Sequence, residues 1–589
     1  MKLRLGIIIG IFMAFLSLYP QIYFQIKRGD NYNGATFYYD FDESGYASYL
    51  QALIDGRPRK NSIYQGSVEP NTNENLFSIQ FASAYLVAIP ARLLGISADT
   101  AFLLISAIFS FLASLVIFYL LLQITENEQI AAVGTLFILI IGANVAGISI
   151  LKETFGFGAS AFYLTFLRRF TPAVTFPVIF VLISCVWIGL KSIKPKAKLL
   201  YALIASLCFA FLVFGYFFYW TAILAWIFTV FCLSFLLPNR NQNWNFWLVS
   251  FLGIVLTFIP YFWLLAERNP TTDASQVLEH TRRIIFLRPT LLAGLLVLFL
   301  TAISIKLKRI EFKNQTTVFI ISLAILPIFV FNQQIITGYS LQPLHYNMYI
   351  LNYLSVLALV LLIGEVFKNS LPKIKPLIWT SLVIIICTWG IIETNYTIQY
   401  RFGYNLMRDK AVLVNRRLAE IAKADFENEK TKITFNLESI QGDNQPTNAP
   451  QGVLWAEHLY IGGNMSVEEH QRRYFLYLHF QNRTTNQLRQ QLENCPNETC
   501  RALIGWRINP TLSFNSSKVN QDEIDLLVEK YSKFIQNISN AEVLNPTISY
   551  LIVPNGMIFD LRNFEKWYQK VNSEQIGDYT LYYVKPIAR

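Results

Sequence analysis

Between Leu199 and Leu237 the chain carries no charged side chain. At a rise of about 1.5 Å per residue, that run would form one helix about 58 Å long, roughly twice the thickness of bilayer hydrocarbon. It therefore reads as two membrane spans joined by a tight turn near Gly215–Tyr216. Comparable apolar runs recur at roughly 5–24, 99–123, 129–151, 172–190, 199–216, 219–237, 244–265, 289–305, 316–331, 347–364 and 376–392, which predicts eleven spans. Composition agrees: 53% of the 589 residues are hydrophobic and 15% are charged, whereas soluble domains carry about 25% charged residues. A soluble enzyme is set aside on that ground, and disorder and coiled coil by the aromatic load of 47 Phe, 31 Tyr and 11 Trp with only 28 Gly. The predicted fold class is a polytopic α-helical membrane protein. The stretch 76–95 is less apolar, with Pro90 and Arg92, and is expected to lie at the surface rather than cross.

A net charge of +11 raises nucleic acid as a partner, but the position of the charge speaks for a membrane instead. Short cytoplasmic loops are rich in Lys and Arg. With the N-terminus inside, the inner segments hold fourteen such residues, among them Lys2, Arg4, Lys191, Lys194, Arg240, Lys306 and Lys373. The short outer loops hold seven: Lys152, Arg168, Arg169, Arg268, Arg282, Arg283 and Arg288. This predicts a multi-pass protein of the plasma (inner) membrane with a cytoplasmic N-terminus and a retained first span. Residues 393–589 then form an extracytoplasmic domain. Their polar composition, with helix-like stretches near 406–428, 466–493 and 521–540 and strand-like runs at 432–437, 547–553 and 579–584, predicts a soluble α/β unit. Cys495 and Cys500, in the run CPNETC, read as a local disulfide outside the cytoplasm. A metal pair lacks a second Cys pair, and a redox pair would be spaced more tightly.

The first outer loop, 25–98, contains Tyr38-Tyr39-Asp40-Phe41-Asp42-Glu43-Ser44-Gly45-Tyr46. Carboxylates this close raise one another's pKa and can hold a metal or take up a proton. The plain alternative is a solvated acidic turn at a helix N-terminus. An acidic loop between a membrane anchor and a large helical domain, over residues 1–392, resembles the C-fold (GT-C) glycosyltransferase superfamily. That superfamily includes the aminoarabinose transferases and protein O-mannosyltransferases. Asp42-Glu43-Ser44-Gly45-Tyr46 is similar to its Asp-Glu-x-x-Tyr form, and Asp40-Phe41-Asp42 to its Asp-x-Asp form. The resemblance implies a polyprenyl-phosphate-linked sugar donor, a lipid, glycan or protein acceptor at the outer face, membrane lipids around both, and no nucleic acid. It implies Asp42 as the catalytic base of an inverting displacement, with Asp40 and Glu43 beside it. It leaves the cofactor open; a divalent metal, Mg or Mn, held by Asp40, Asp42 and Glu153 is the candidate.

A leaving phosphate calls for cations, and guanidinium groups bind phosphate bidentately. Arg168 and Arg169 in one outer loop, and Arg282, Arg283 and Arg288 in another, are the candidates. Contact with lipid headgroups is their alternative use. The last outer loop, from Asn332 through Gln342 to His345, is uncharged but rich in groups that suit sugar hydroxyls or phosphate. Two rival classes stand beside the transferase. A transporter or flippase places charged groups near the membrane midplane, where these span interiors are uncharged. A non-catalytic scaffold with an outer binding domain leaves the acidic loop unexplained.

Overall fold

Ten of the eleven predicted runs form helices long and apolar enough to cross a membrane among the described residues. The computed structural model describes residues 3–66, 73–157, 164–237, 243–268, 277–370, 375–459, 465–495, 497–508 and 519–587. Lys2, Arg240 and Lys373 of the predicted inner segments lie outside them. The chain is a multi-pass helical membrane protein with a sheet domain at its C-terminal end.

Helix α1 (Arg4–Arg28) enters first. Helix α2 (Glu43–Ile54) and helix α3 (Phe81–Leu94) belong to the first loop. At 14 residues, α3 is about 21 Å long and too short to cross, as expected for 76–95. Spans α4 (Ala98–Thr125) and α5 (Glu128–Val145) follow. The predicted span 172–190 differs: its helix, α6 (Phe176–Lys191), has 16 residues, about 24 Å, and falls short of the ~30 Å core. It pairs with α7 (Pro195–Val213) as a hairpin. The Thr171 hydroxyl donates to Gly215 O at 3.3 Å, so the hairpin leaves one face and returns to it. The expected turn at Gly215–Tyr216 separates α7 from α8 (Phe217–Ser234). Helices α9 (Trp244–Ala266), α10 (Pro289–Lys306), α11 (Gln315–Asn332) and α12 (Asn352–Val366) complete the bundle. Strands β1 (Leu278–His280) and β2 (Tyr339–Leu341) pair antiparallel and tie two loops together.

The last span, α13 (Pro376–Ala424), runs 49 residues without a break, about 74 Å. The predicted domain boundary at 392/393 falls inside it. Its polar half is a post for the first loop. Asp409 accepts from the backbone N–H of Asn33 (3.0 Å) and Ala35 (3.2 Å) and from Arg28 (2.9 Å). The Asn405 amide bonds both backbone groups of Tyr38, at 2.7 and 3.0 Å. The C-terminal sheet has the order β4-β3-β5-β7-β6. Its strands are β3 (Ile433–Asn436), β4 (Gly452–Val453), β5 (Ile548–Pro554), β6 (Tyr568–Ile576) and β7 (Tyr579–Pro586). The β3 pairings with β4 and β5 are parallel and the others antiparallel. Helix α14 (Ser439–Asn448) packs this domain against α2 and α13. Cys495 and Cys500 are disulfide-bonded.

Candidate active site

A cavity of about 330 Å³ opens where the first loop, the ends of the membrane helices and the C-terminal domain meet. The segment carrying the acids turns just before α2. The N–H groups of Glu43, Ser44 and Tyr46 bond the carbonyls of Asp40, Phe41 and Asp42, and acids favour such a helix start. Asp42 lines the cavity with about a third of its side chain exposed (35%). Arg168, only 3% exposed, donates to Asp42 Oδ2 at 2.7 Å and lies 3.7 Å from Asp40. The same guanidinium donates to Tyr216 Oη (3.1 Å), Tyr46 Oη (3.3 Å) and Thr171 O (3.2 Å), and sits 4.6 Å from the Tyr349 ring centre. Aromatic faces and phenol oxygens offset its removal from water.

Asp40 is buried behind Asp42. Burial and the neighbouring Asp42 charge push its carboxyl up to about 6. For Asp42, burial opposes ionisation, but His458 and Arg168 outweigh it and hold the carboxyl well below the usual carboxylate range. Gln342 and His345 also line the cavity. Gln342 Oε1 and His345 Nδ1 have no hydrogen-bond partner among the described residues.

Other predicted residues sit elsewhere. Glu43 and Arg169 are adjacent in sequence to Asp42 and Arg168 but face away from the cavity. They are 0% and 1% exposed and bonded to each other, with Arg169 Nη2 2.5 Å from Glu43 Oε2. The Arg169 N–H adds a bond to Glu43 Oε1 (2.8 Å), so neither group is left over for substrate. Arg282 and Arg283 are exposed and Arg288 half-buried on a loop that the Asn332 amide pins to Ile285 in both directions. None of these four lines the cavity. Glu153 is exposed on a short helix apart from the cavity, and among the described residues no three His, Cys, Asp or Glu side chains gather as a metal site. With Asp42 paired to Arg168 and Glu153 elsewhere, Asp40, Asp42 and Glu153 do not fit a shared divalent ion.

Sequence reasoning missed three groups here. Arg268 and Tyr46 line the cavity, Arg268 at its rim after α9. His458 reaches it from the C-terminal domain, with Nε2 at 3.6 Å from Asp42 Oδ1. Tyr46 closes the quoted Asp-Glu-x-x-Tyr run, so its signal was present. His458 had none beyond being one of only five histidines.

The chain is similar to a solved structure, ArnT from Cupriavidus metallidurans in the apo state. The two match over 96% of this chain and 97% of that one, with 12% sequence identity and a TM-score of 0.40. No protein-family model matches the chain, and no curated protein matches its sequence.

Proposed function

We propose that the protein is a membrane glycosyltransferase that moves a sugar from a polyprenyl-phosphate donor to a lipid, glycan or protein acceptor. One observation carries the reading. A carboxylate (Asp42), a buried guanidinium (Arg168) and unpartnered amide and imidazole atoms (Gln342, His345) come from three separate loops to one cavity. Its remaining wall includes Val213, Phe217, Phe218, Trp220 and Leu265 at the ends of α7, α8 and α9. That wall suits isoprenoid carbon beside a phosphate. The excess of Lys and Arg on the opposite loops supports an extracytoplasmic site.

In the proposed reaction the acceptor hydroxyl or amine attacks the anomeric carbon. The carbon–oxygen bond to phosphate breaks, and the phosphate leaves with the bonding pair and meets Arg168. Asp42 takes the proton from the attacking group, and a single displacement inverts the anomeric centre.

Full-length protein in nanodiscs, given labelled polyprenyl-phosphate sugars, should consume donor and release polyprenyl phosphate. Intact donor carried across vesicle membranes would instead support a transporter. A pH limb is also expected. Asp40, raised to about 6, is neutral below that pH and charged above it. Its charge beside Asp42 strengthens Asp42 as a base, so kcat/KM should rise as pH passes about 6. Asp40→Asn should lack that limb in the pH–rate profile.

A further inference from the structure

The C-terminal domain puts one histidine at the wall of the cavity. Asp443, on α14, holds it twice: Oδ1 accepts from the His458 backbone N–H at 3.0 Å, and Oδ2 lies 2.7 Å from Nδ1. The imidazole orientation is therefore fixed by its own domain. Nε2 points the other way, towards Asp42. The side chain is buried, and Nε2 has no hydrogen-bond partner among the described residues. The 3.6 Å to Asp42 Oδ1 is ion-pair distance, beyond a hydrogen bond. Helix α2 comes close because Gly45 faces the ring: a Cβ there would lie 3.2 Å from His458 Cδ2. Burial opposes the charged form, but Asp443 and Asp42 outweigh it and favour imidazolium. A buried donor left unsatisfied is destabilising, and this one borders the cavity. Arg168 lies on the other oxygen of Asp42, so one carboxylate stands between two cationic donors.

We propose that His458, fixed by Asp443, is a binding residue of this cavity that holds the phosphate oxyanion of the donor together with Arg168. The inference rests on the phosphate-linked donor proposed above and adds the domain that completes its site. It also bears on the base. Both cations serve Asp42 and keep it weakly basic. An oxyanion that takes up Arg168 and His458 withdraws that compensation and adds a negative charge nearby, and both changes raise the basicity of Asp42. Donor binding thus prepares the carboxylate for the acceptor proton.

Calorimetry on the full-length protein in nanodiscs tests this with octyl phosphate, inorganic phosphate and, as uncharged control, octanol. His458→Gln should weaken octyl phosphate at least about ten-fold, the loss of one charge-assisted hydrogen bond, and leave octanol binding unchanged. Asp443→Asn, which keeps the imidazole but loosens its hold, should give a smaller loss. A His458 effect on octyl phosphate supports a lipid-linked phosphate, whereas an effect on inorganic phosphate alone marks a free phosphate and overturns the assignment to the donor. Octyl phosphate binding equal in wild type and His458→Gln would overturn the inference and leave the transferase reading standing. So would equal losses of octyl phosphate and octanol, because His458 would then only shape the cavity. Failure of the wild type to bind either phosphate would remove the phosphate-linked donor itself, and the inference with it.

Discussion

Replacing Arg169 with alanine is expected to cost about 3–5 kcal/mol of stability, the usual consequence of leaving one member of a buried ion pair alone. Its partner Glu43 is fully buried, and Arg169 itself is only 1% exposed. Arg169 also donates to Phe37 O (2.8 Å) and Ser106 Oγ (3.2 Å) and lies 4.4 Å from the Tyr39 ring centre. It thereby joins the first loop, the loop before α6 and span α4. Removing the guanidinium takes the counter-charge from the buried Glu43 carboxylate and a donor from Phe37 O and Ser106 Oγ. Glu43→Gln combined with Arg169→Met should recover part of the loss, because the uncompensated charge goes with the pair. Thermal or urea unfolding of the purified protein checks this. A single-variant cost under about 1 kcal/mol, a value typical of exposed pairs, would contradict the structural role.

Asp42→Asn is expected to lower the transfer rate by about 10²–10⁴-fold, the range for loss of a general base. The fold should survive, since Asp42 is partly exposed at the cavity rather than sealed in a core. The kinetic signature is specific. Asparagine no longer competes as an anion for Arg168 and His458, so the donor KM should stay level or fall while kcat collapses. Steady-state kinetics over a range of donor concentrations reads both numbers. An unchanged kcat would remove Asp42 as the base.

Much of this architecture is written in the sequence because a membrane demands long apolar runs. The spans, the turn at Gly215–Tyr216 and the shortness of the helix within 76–95 follow from that demand alone. Helix α6 is shorter than its apolar run because residues 172–175, though apolar in character, form turns before the helix begins. The boundary expected at 392/393 falls within α13. A change of composition marks where the lipid ends, but backbone hydrogen bonding carries α13 on into the polar region. Strand β6 has no apolar alternation to mark it, because YQKVNSEQI is an edge strand with few buried positions.

The site was legible in part. Asp42 and Arg168 stood out as charges in loops, and His345 and Gln342 as polar groups at a late one. Their neighbours could not be sorted by pattern. Glu43 follows Asp42 and Arg169 follows Arg168, yet a turn sends each of them inward to the other. His458 and Asp443 lie in a polar domain without strong periodicity, and only the packing of α14 on α2 brings them near residue 42.

The central claim, one direct displacement at this cavity, is tested most directly by the anomeric configuration of the product formed from a donor of known configuration. Full-length wild type in nanodiscs, with isotopically labelled donor and product read by NMR, should give inverted product and one free polyprenyl phosphate per sugar moved. Retained configuration, which needs two displacements, or donor recovered intact would contradict it.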